Sequence, residues 1–326
     1  MRQTVNDSHG RKEIHRYTCQ DFTSILCEGE MTYEVDTERH TATITFNRPE
    51  HLNAMPIAGL EYLTQLIKLA ERDDDVRVIV LRGSGPCFGV GADANELGWY
   101  IGYGTPASGE RQRPPAQRRR MLPDRDVIYG SHGFEQAIWR CFKPTICEVH
   151  SYCYGGHLQM AVAADIVIAS EDALFAHPAW RYLGPIFNFP LMIETLGLKK
   201  TKELVLTCRP LDAGEAEKFG LVTRAVPREE LVPTVDKFVS VIAARNLDGI
   251  AMGKAVIEQA LEARGAGQGG LFAWAGHSWM TNLRHEKGEH NFVKSRRDRG
   301  LTEALDDLDR MVAPEFRMGK ARTDRR

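Results

Sequence analysis

The sequence predicts an α/β fold, on three observations. Short apolar or alternating stretches read as strands at Thr41–Phe46, 76–81, Thr145–Val149 and 166–169. Apolar residues at helical spacing predict helices over about 56–71 and 194–207, so the unit is strand, strand, helix, repeated. The 326 residues, 43% apolar and 26% charged, have an ordinary globular balance and suffice for one large domain plus an appended piece.

The elements follow in order. Residues 1–30 carry no sustained periodicity and read as a loosely held extension. Ala42, Ile44 and Phe46 share one face of the first strand, and Asn47-Arg-Pro49 ends it. Leu60, Leu63, Ile67 and Ala70 make the apolar stripe of the first helix. The run at 76–81 is almost continuously apolar. The segment 98–125 breaks the rhythm with Gly98, Gly102, Gly104, Pro106, Gly109, Pro114, Pro115, Pro123 and a basic group from Arg111 to Arg120. It reads as a long loop, and arginines in such a place usually form a solvated surface. After residue 245 the pattern is helical, interrupted by glycines from Gly265 to Gly270, and the basic last ten residues should fray. The expected division is an extension (1–30), an α/β core (31–245) and a helical region with a basic tail (246–326).

A net charge of −2 argues against a nucleic-acid binder that works by bulk charge. No apolar run approaches membrane-spanning length, and the first 30 residues lack the apolar core of a secretory signal. The seven cysteines (Cys19, Cys27, Cys87, Cys141, Cys147, Cys153 and Cys208) are odd in number and form no C-x-x-C pair. Neither a disulfide framework nor a metal site is expected, and a reduced cytoplasm fits best.

Three segments carry a resemblance, in order and at the expected spacing. Asn47-Arg-Pro-Glu-His-Leu-Asn-Ala54 is similar to an N-R-P-x-x-x-N-A turn. Gly83-Ser-Gly-Pro-Cys-Phe-Gly-Val-Gly-Ala-Asp93 resembles G-x-G-x-x-F-x-x-G-x-D. Lys143-Pro-Thr-Ile-Cys-Glu-Val-His-Ser-Tyr-Cys-Tyr-Gly-Gly-His-Leu-Gln159, continuing to Ala164-Asp165, is similar to K-P-x-I-A-x-V-x-G-x-x-x-G-G-G-x-E…C-D. Ala216–Val222 looks like A-x-x-x-G-L-V, and Phe292–Gly300 like a C-terminal helix. Together these resemble the enoyl-CoA hydratase/isomerase (crotonase) superfamily over about 33–312.

The resemblance implies a spiral of strand-strand-helix units with a C-terminal helical region. It implies two backbone N–H groups, of Val90 and of Gly156, aimed at a thioester oxygen. A thioester carbonyl becomes an oxyanion when a proton leaves or a nucleophile adds nearby, and losing one such donor costs about 2.7–4 kcal/mol. Glycines let the chain approach that closely, and a helix start at Gly156 adds its dipole. Arg48, Asn53, Ala54, Phe88, Gly91, Ala92 and Asp93 would line the coenzyme A site, with Arg48 a candidate phosphate contact.

The pattern departs at both acid–base positions. The first glutamate of the family's hydratases falls at Gln159, which exchanges no proton at neutral pH. The second falls at Ala179 or Trp180. Simple hydration of a straight-chain enoyl-CoA is therefore in doubt. His157, which replaces a third glycine, and His177 are the candidate bases. His132 and Glu135 lie on the helix after the long loop, from which relatives recruit catalytic groups. Tyr152, Tyr154 and Trp180 would narrow an acyl pocket, His150 replaces a structural asparagine, and Asp93 and Asp165 suit structural hydrogen bonds.

The implied function is a hydratase/lyase-type enzyme of fatty-acid-like acyl-CoA thioesters that stabilises a thioester enolate. The alternatives are a C–C bond hydrolase (retro-Claisen) or isomerase acting on a cyclic or diketone-type substrate, and a silent CoA-binding member. Coenzyme A would enter as part of the substrate, with no other cofactor and no metal. The implied assembly is a homotrimer or a dimer of trimers (hexamer).

Overall fold

The computed structural model describes residues 3–5, 14–17, 30–94, 130, 132–182, 184, 188–267, 269 and 285–318. The strands are β1 (Gln3–Val5), β2 (Ile14–Tyr17), β3 (Met31–Asp36), β4 (Thr41–Phe46), β5 (Val78–Gly83), β6 (Thr145–Val149), β7 (Tyr152–Tyr154), β8 (Ile166–Ser170), β9 (Leu174–Ala176), β10 (Leu211–Asp212) and β11 (Arg224–Val226). The helices are α1 (Ile57–Arg72), α2 (Phe134–Trp139), α3 (Gly156–Ala163), α4 (Phe189–Leu196), α5 (Leu198–Thr207), α6 (Ala213–Phe219), α7 (Leu231–Ala243), α8 (Leu247–Ala263), α9 (Phe292–Arg299) and α10 (Leu301–Arg310).

The larger sheet runs β1-β2-β3-β4-β5-β6-β8-β11, antiparallel up to β4 and parallel from β4 onward. The smaller sheet runs β10-β9-β7. Each core unit places one strand in the large sheet and the next in the small one, β6 then β7 and β8 then β9, which makes the mixed α/β spiral. The alternation in β4 works as expected, with Ala42, Ile44 and Phe46 all buried. The continuous apolar run in β5 has a simple reason: both its faces are covered. Val78 and Val80, with Ile146 and Ile168, pack on Leu231, Val235 and Val239 of α7. Ile79 and Leu81 face the main core with Leu63, Leu66 and Phe88.

Three expectations need correction. The helix expected over 194–207 is two helices, α4 and α5, because Gly197 sits at φ 75° and ψ 155°, outside helical geometry. Within the expected loose extension, β1 and β2 pair with each other and onto β3. The strand β3 was missed from the sequence, although its burial alternates along its whole length. The expected long loop at 98–125 lies outside the described residues, as do Cys19 and Cys27; the other five cysteines are free thiols and buried. Among the described residues no helix is long and apolar enough to cross a membrane.

Candidate active site

Two glycine-bearing loops meet at the C-terminal ends of β5 and β6. The first follows β5 and is laid along the turn after β4. Asn53 holds the two together: its Oδ1 accepts from the Arg48 N–H at 2.9 Å, and its Nδ2 donates to Ser84 O at 2.9 Å and Cys87 O at 2.8 Å. Asn53 has φ 56°, a left-handed conformation that asparagine tolerates. Arg48 reaches the Ala54 carbonyl at 2.5 Å and forms ion pairs with Glu30 at 3.1 Å and Asp93 at 3.4 Å. Arg48, Asn53 and Asp93, expected at the coenzyme A site, thus bond to the protein itself. The guanidinium of Arg48 is neutralised internally rather than presented to a phosphate.

The Phe88–Asp93 segment is pinned on both sides. The N–H groups of Phe88 and Gly89 donate to His150 O and Tyr152 O, each at 2.8 Å. Val90 N–H donates to Leu52 O at 3.2 Å. This corrects the expectation that Val90 supplies the oxyanion donor, since its N–H is already engaged. A parallel bridge joins Met55 to Ala92 through Met55 N to Gly91 O at 2.8 Å and Asp93 N to Met55 O at 2.7 Å. Such a bridge uses the groups on either side of Ala92 and turns its own N–H away. That N–H makes no hydrogen bond among the described residues.

The second loop is Tyr154–Gly156. Gly155 N–H donates to Ala176 O at 2.9 Å, and Gly156 opens α3 with an N–H that has no acceptor among the described residues. Gly91 lies against it with φ 92°. A Cβ on Gly91 would fall 2.8 Å from Gly156 N, so only glycine permits this contact. Two uncommitted N–H groups, of Ala92 and Gly156, therefore belong to loops that touch. Ala54 and Phe88 are buried in the same pair of loops.

His157 is not placed as a base. It is 0% exposed, its ring lies edge-on to Phe46 at 4.6 Å and Phe88 at 5.2 Å, and its Nδ1 accepts from Gly91 N–H at 3.0 Å. Burial pushes its imidazole down to about 3, so it stays neutral and serves as an acceptor that fixes the Gly91 peptide. A Cβ on Gly89 would lie 2.1 Å from His157 Nε2. The histidine fills the space that Gly89 leaves open.

Gln159 lies on α3 one turn beyond Gly156, buried, with no hydrogen bond from its side chain to a described residue. The turn Pro178–Arg181 carries Ala179 and the buried Trp180, whose indole stacks on His177 at 5.0 Å and 11°. Burial pushes the His177 imidazole down to about 4. An ion pair from Arg181 to Asp309 anchors this turn to α10. His150 Nε2 donates to Gly85 O at 3.1 Å, and Tyr152 and Tyr154 pack on each other at 5.1 Å. Asp165 accepts from the Thr145 N–H at 2.7 Å and pairs with Lys254 at 2.7 Å, a link between β6 and α8. His132 is exposed.

Three features were not weighed from the sequence. Ala92 as a donor depends on a bridge between distant residues. Arg296 is fully buried and donates to Ala94 O, tying α9 to the end of the first loop. Asn188 caps α4 by accepting from the Leu191 N–H at 3.3 Å, and its Nδ2 has no acceptor in range among the described residues. Asparagine just before the Phe-Pro that opens a helix was the available signal.

The sequence profile of the enoyl-CoA hydratase/isomerase family matches residues 36–103 and 116–299. A probable mitochondrial enoyl-CoA hydratase of Dictyostelium discoideum is 31% identical over 237 residues, 71% of this chain and 76% of that protein. A probable enoyl-CoA hydratase of Rhizobium meliloti (strain 1021) is 32% identical over 241 residues, 71% of this chain and 84% of that protein. The crystal structure of an enoyl-CoA hydratase from Mycobacterium smegmatis superposes with TM-score 0.71 at 28% identity, covering 86% of this chain and 94% of that one. An enoyl-CoA hydratase/isomerase from Xanthobacter autotrophicus Py2 gives 0.73 at 25% identity, with 87% and 98% covered. With the profile spanning most of its length, the chain belongs to the enoyl-CoA hydratase/isomerase (crotonase) superfamily.

Proposed function

We propose that this protein processes an acyl-CoA thioester through an enolate or oxyanion held by the N–H groups of Ala92 and Gly156. The observation that carries this reading is the contact of Gly91 with Gly156, beside which those two N–H groups are left without acceptors among the described residues. Donors fixed by the backbone stabilise charge that develops on a carbonyl oxygen without reorganising, and a helix start strengthens one of them. Coenzyme A belongs to the substrate, and the mechanism calls on no further cofactor or metal.

The reaction is of lyase type beside the thioester, other than rapid hydration of a simple enoyl-CoA. Gln159 and the Ala179–Trp180 turn bear no carboxylate where the family's hydratases carry two. The stacked His177–Trp180 pair favours, as a second reading, a C–C bond hydrolase or isomerase with a ring-bearing or diketone-type acyl group. Exposed Met252, Val256 and Ile257 on α8 support assembly as a homotrimer or dimer of trimers.

Calorimetry with acetyl-, butyryl- and octanoyl-CoA tests the reading together with Gly156→Pro, which removes one donor. Micromolar binding is expected for the wild type. The variant should bind coenzyme A thioesters but lose about 10²–10³-fold in turnover. No heat with any thioester, or full turnover in a folded Gly156→Pro, sinks the proposal.

A further inference from the structure

The oxyanion site described above needs a group that takes a proton from the carbon beside the thioester and returns it. Both usual carboxylates are missing, and His157 is walled in. We infer that Glu135 on α2 is this proton-carrying group, an assignment that rests on the acyl-CoA reading above.

The placement comes from two sides. The helix α2 packs on α3, and a ring carbon of Phe134 lies 3.8 Å from where a Cβ on Gly156 would stand. The first turn of α2 therefore abuts the oxyanion glycine, and Glu135 is the next residue. Its polar neighbour is Asn188, which closes the 177–188 segment whose opening turn replaces the second carboxylate. Glu135 is 5% exposed and Asn188 is 0% exposed. The Asn188 amide faces the Glu135 carboxyl and favours its ionised form, with Nδ2 beyond the range of a formed hydrogen bond among the described residues.

Glu135 also differs from the structural carboxylates of this chain. Glu148 pairs with Arg82 at 2.7 Å, and Asp165 pairs with Lys254 at 2.7 Å. Glu135 has no such cation among the described residues: burial acts on it first, and the Asn188 amide opposes the effect. The titratable groups on the helices packed against α2 are His157 on α3 and Glu61, Tyr62, Lys68, Glu71 and Arg72 on α1. None of them moves the Glu135 carboxyl, which burial raises to about 7. A buried acid with no counter-ion costs stability, and such groups cluster at working sites.

The step balances without a co-reactant. The Glu135 carboxylate takes the proton from the carbon next to the thioester. The C–H electron pair becomes the carbon–carbon double bond of the enolate, and the carbonyl π pair moves to the oxygen facing Ala92 and Gly156. The neutral carboxylic acid then gives the proton back to carbon.

Exchange in deuterium oxide reads this step without knowledge of the natural acyl group. Butyryl-CoA incubated with the wild-type protein should gain deuterium beside the thioester, measured by mass spectrometry. The rate should rise with pH through about 7, because the carboxylate is the active form. Glu135→Gln should bind butyryl-CoA as the wild type does, lose about 100-fold or more in exchange, and lose the pH limb. Glu135→Asp keeps the limb with a rate lowered about tenfold or more, because the carboxyl is withdrawn by one methylene. A folded Glu135→Gln that exchanges at the wild-type rate overturns the inference while the acyl-CoA reading stands. Should that variant not fold, an unchanged rate in Glu135→Asp overturns it equally. A wild type that neither binds nor exchanges acetyl-, butyryl- or octanoyl-CoA overturns the acyl-CoA reading and, with it, the role of Glu135.

Discussion

Two buried titratable groups lie near Gly156 in the chain, His157 directly after it and Glu135 directly after Phe134, whose ring packs beside it, and they are built differently. Around His157 the protein supplies the contacts: Phe46 and Phe88 enclose the ring, and Gly91 donates to Nδ1. Around Glu135 the described residues supply one amide, that of Asn188, and no cation. Burial is nearly complete in both cases, so burial alone does not mark a working residue. What separates them is what the polar atoms face: Nδ1 of His157 is taken by the Gly91 N–H and its Nε2 is walled in against Gly89, whereas the Glu135 carboxyl faces the Asn188 amide. On the proposal above, the walled-in imidazole shapes the site and the carboxyl exchanges protons in it.

The largest effect that tests this contrast lies at Gly91, where the two loops touch. Gly91→Ala should lower turnover by about 10²–10³-fold, since the new Cβ must displace the Gly156 N–H from its direction. It should also reduce stability in urea by about 1–3 kcal/mol, from the strained left-handed backbone. An alanine variant with wild-type turnover would show that the loops do not act as one donor pair.

Next comes the pH dependence of stability at Glu135. Its carboxyl is raised from the ordinary 4.5 to about 7 in the fold. Between those values the folded protein keeps a proton that the unfolded chain has released. Stability is therefore fully present below about pH 4.5 and falls as pH rises through 7, by about 3 kcal/mol at most. Glu135→Gln lacks this loss. Urea titrations should find the variant close to the wild type at pH 5 and more stable than it at pH 8. A difference that does not grow with pH would show that Glu135 is not held as a costly buried acid.

The smallest effect concerns His157. His157→Leu keeps bulk but leaves the Gly91 N–H without its acceptor, at a cost of about 1–3 kcal/mol. His157→Asn offers an oxygen near the position of Nδ1 and should recover much of that loss. Because the imidazole sits at about 3, neither variant should remove a rate limb near neutrality. Loss of such a limb in His157→Asn would return the histidine to the role of base.

Much of this was legible locally. The alternation of Ala42, Ile44 and Phe46, the glycine spacing from Gly83 to Gly91 and the helix start at Gly156 all follow from short-range rules. What failed was non-local. Val90 and Ala92 are two residues apart, and only the Met55–Ala92 bridge decides which N–H is turned outward. Arg48 looks like a phosphate ligand until Glu30 and Asp93 are seen beside it. His157 reads as a base in a one-dimensional motif and becomes a packed acceptor once Phe46, over a hundred positions earlier, closes on it. The break at Gly197 was a local signal that the surrounding helical periodicity masked.

The close fit of Gly89 to His157 also couples two positions far apart in the chain. A Cβ at position 89 would lie 2.1 Å from His157 Nε2, so the imidazole is compatible only with glycine there. The two sites are therefore coupled: Gly89→Ala forces the packed His157 ring to move, and the same substitution is relieved when residue 157 is small. The conspicuous histidine next to Gly156 thus depends on an inconspicuous glycine 68 positions away.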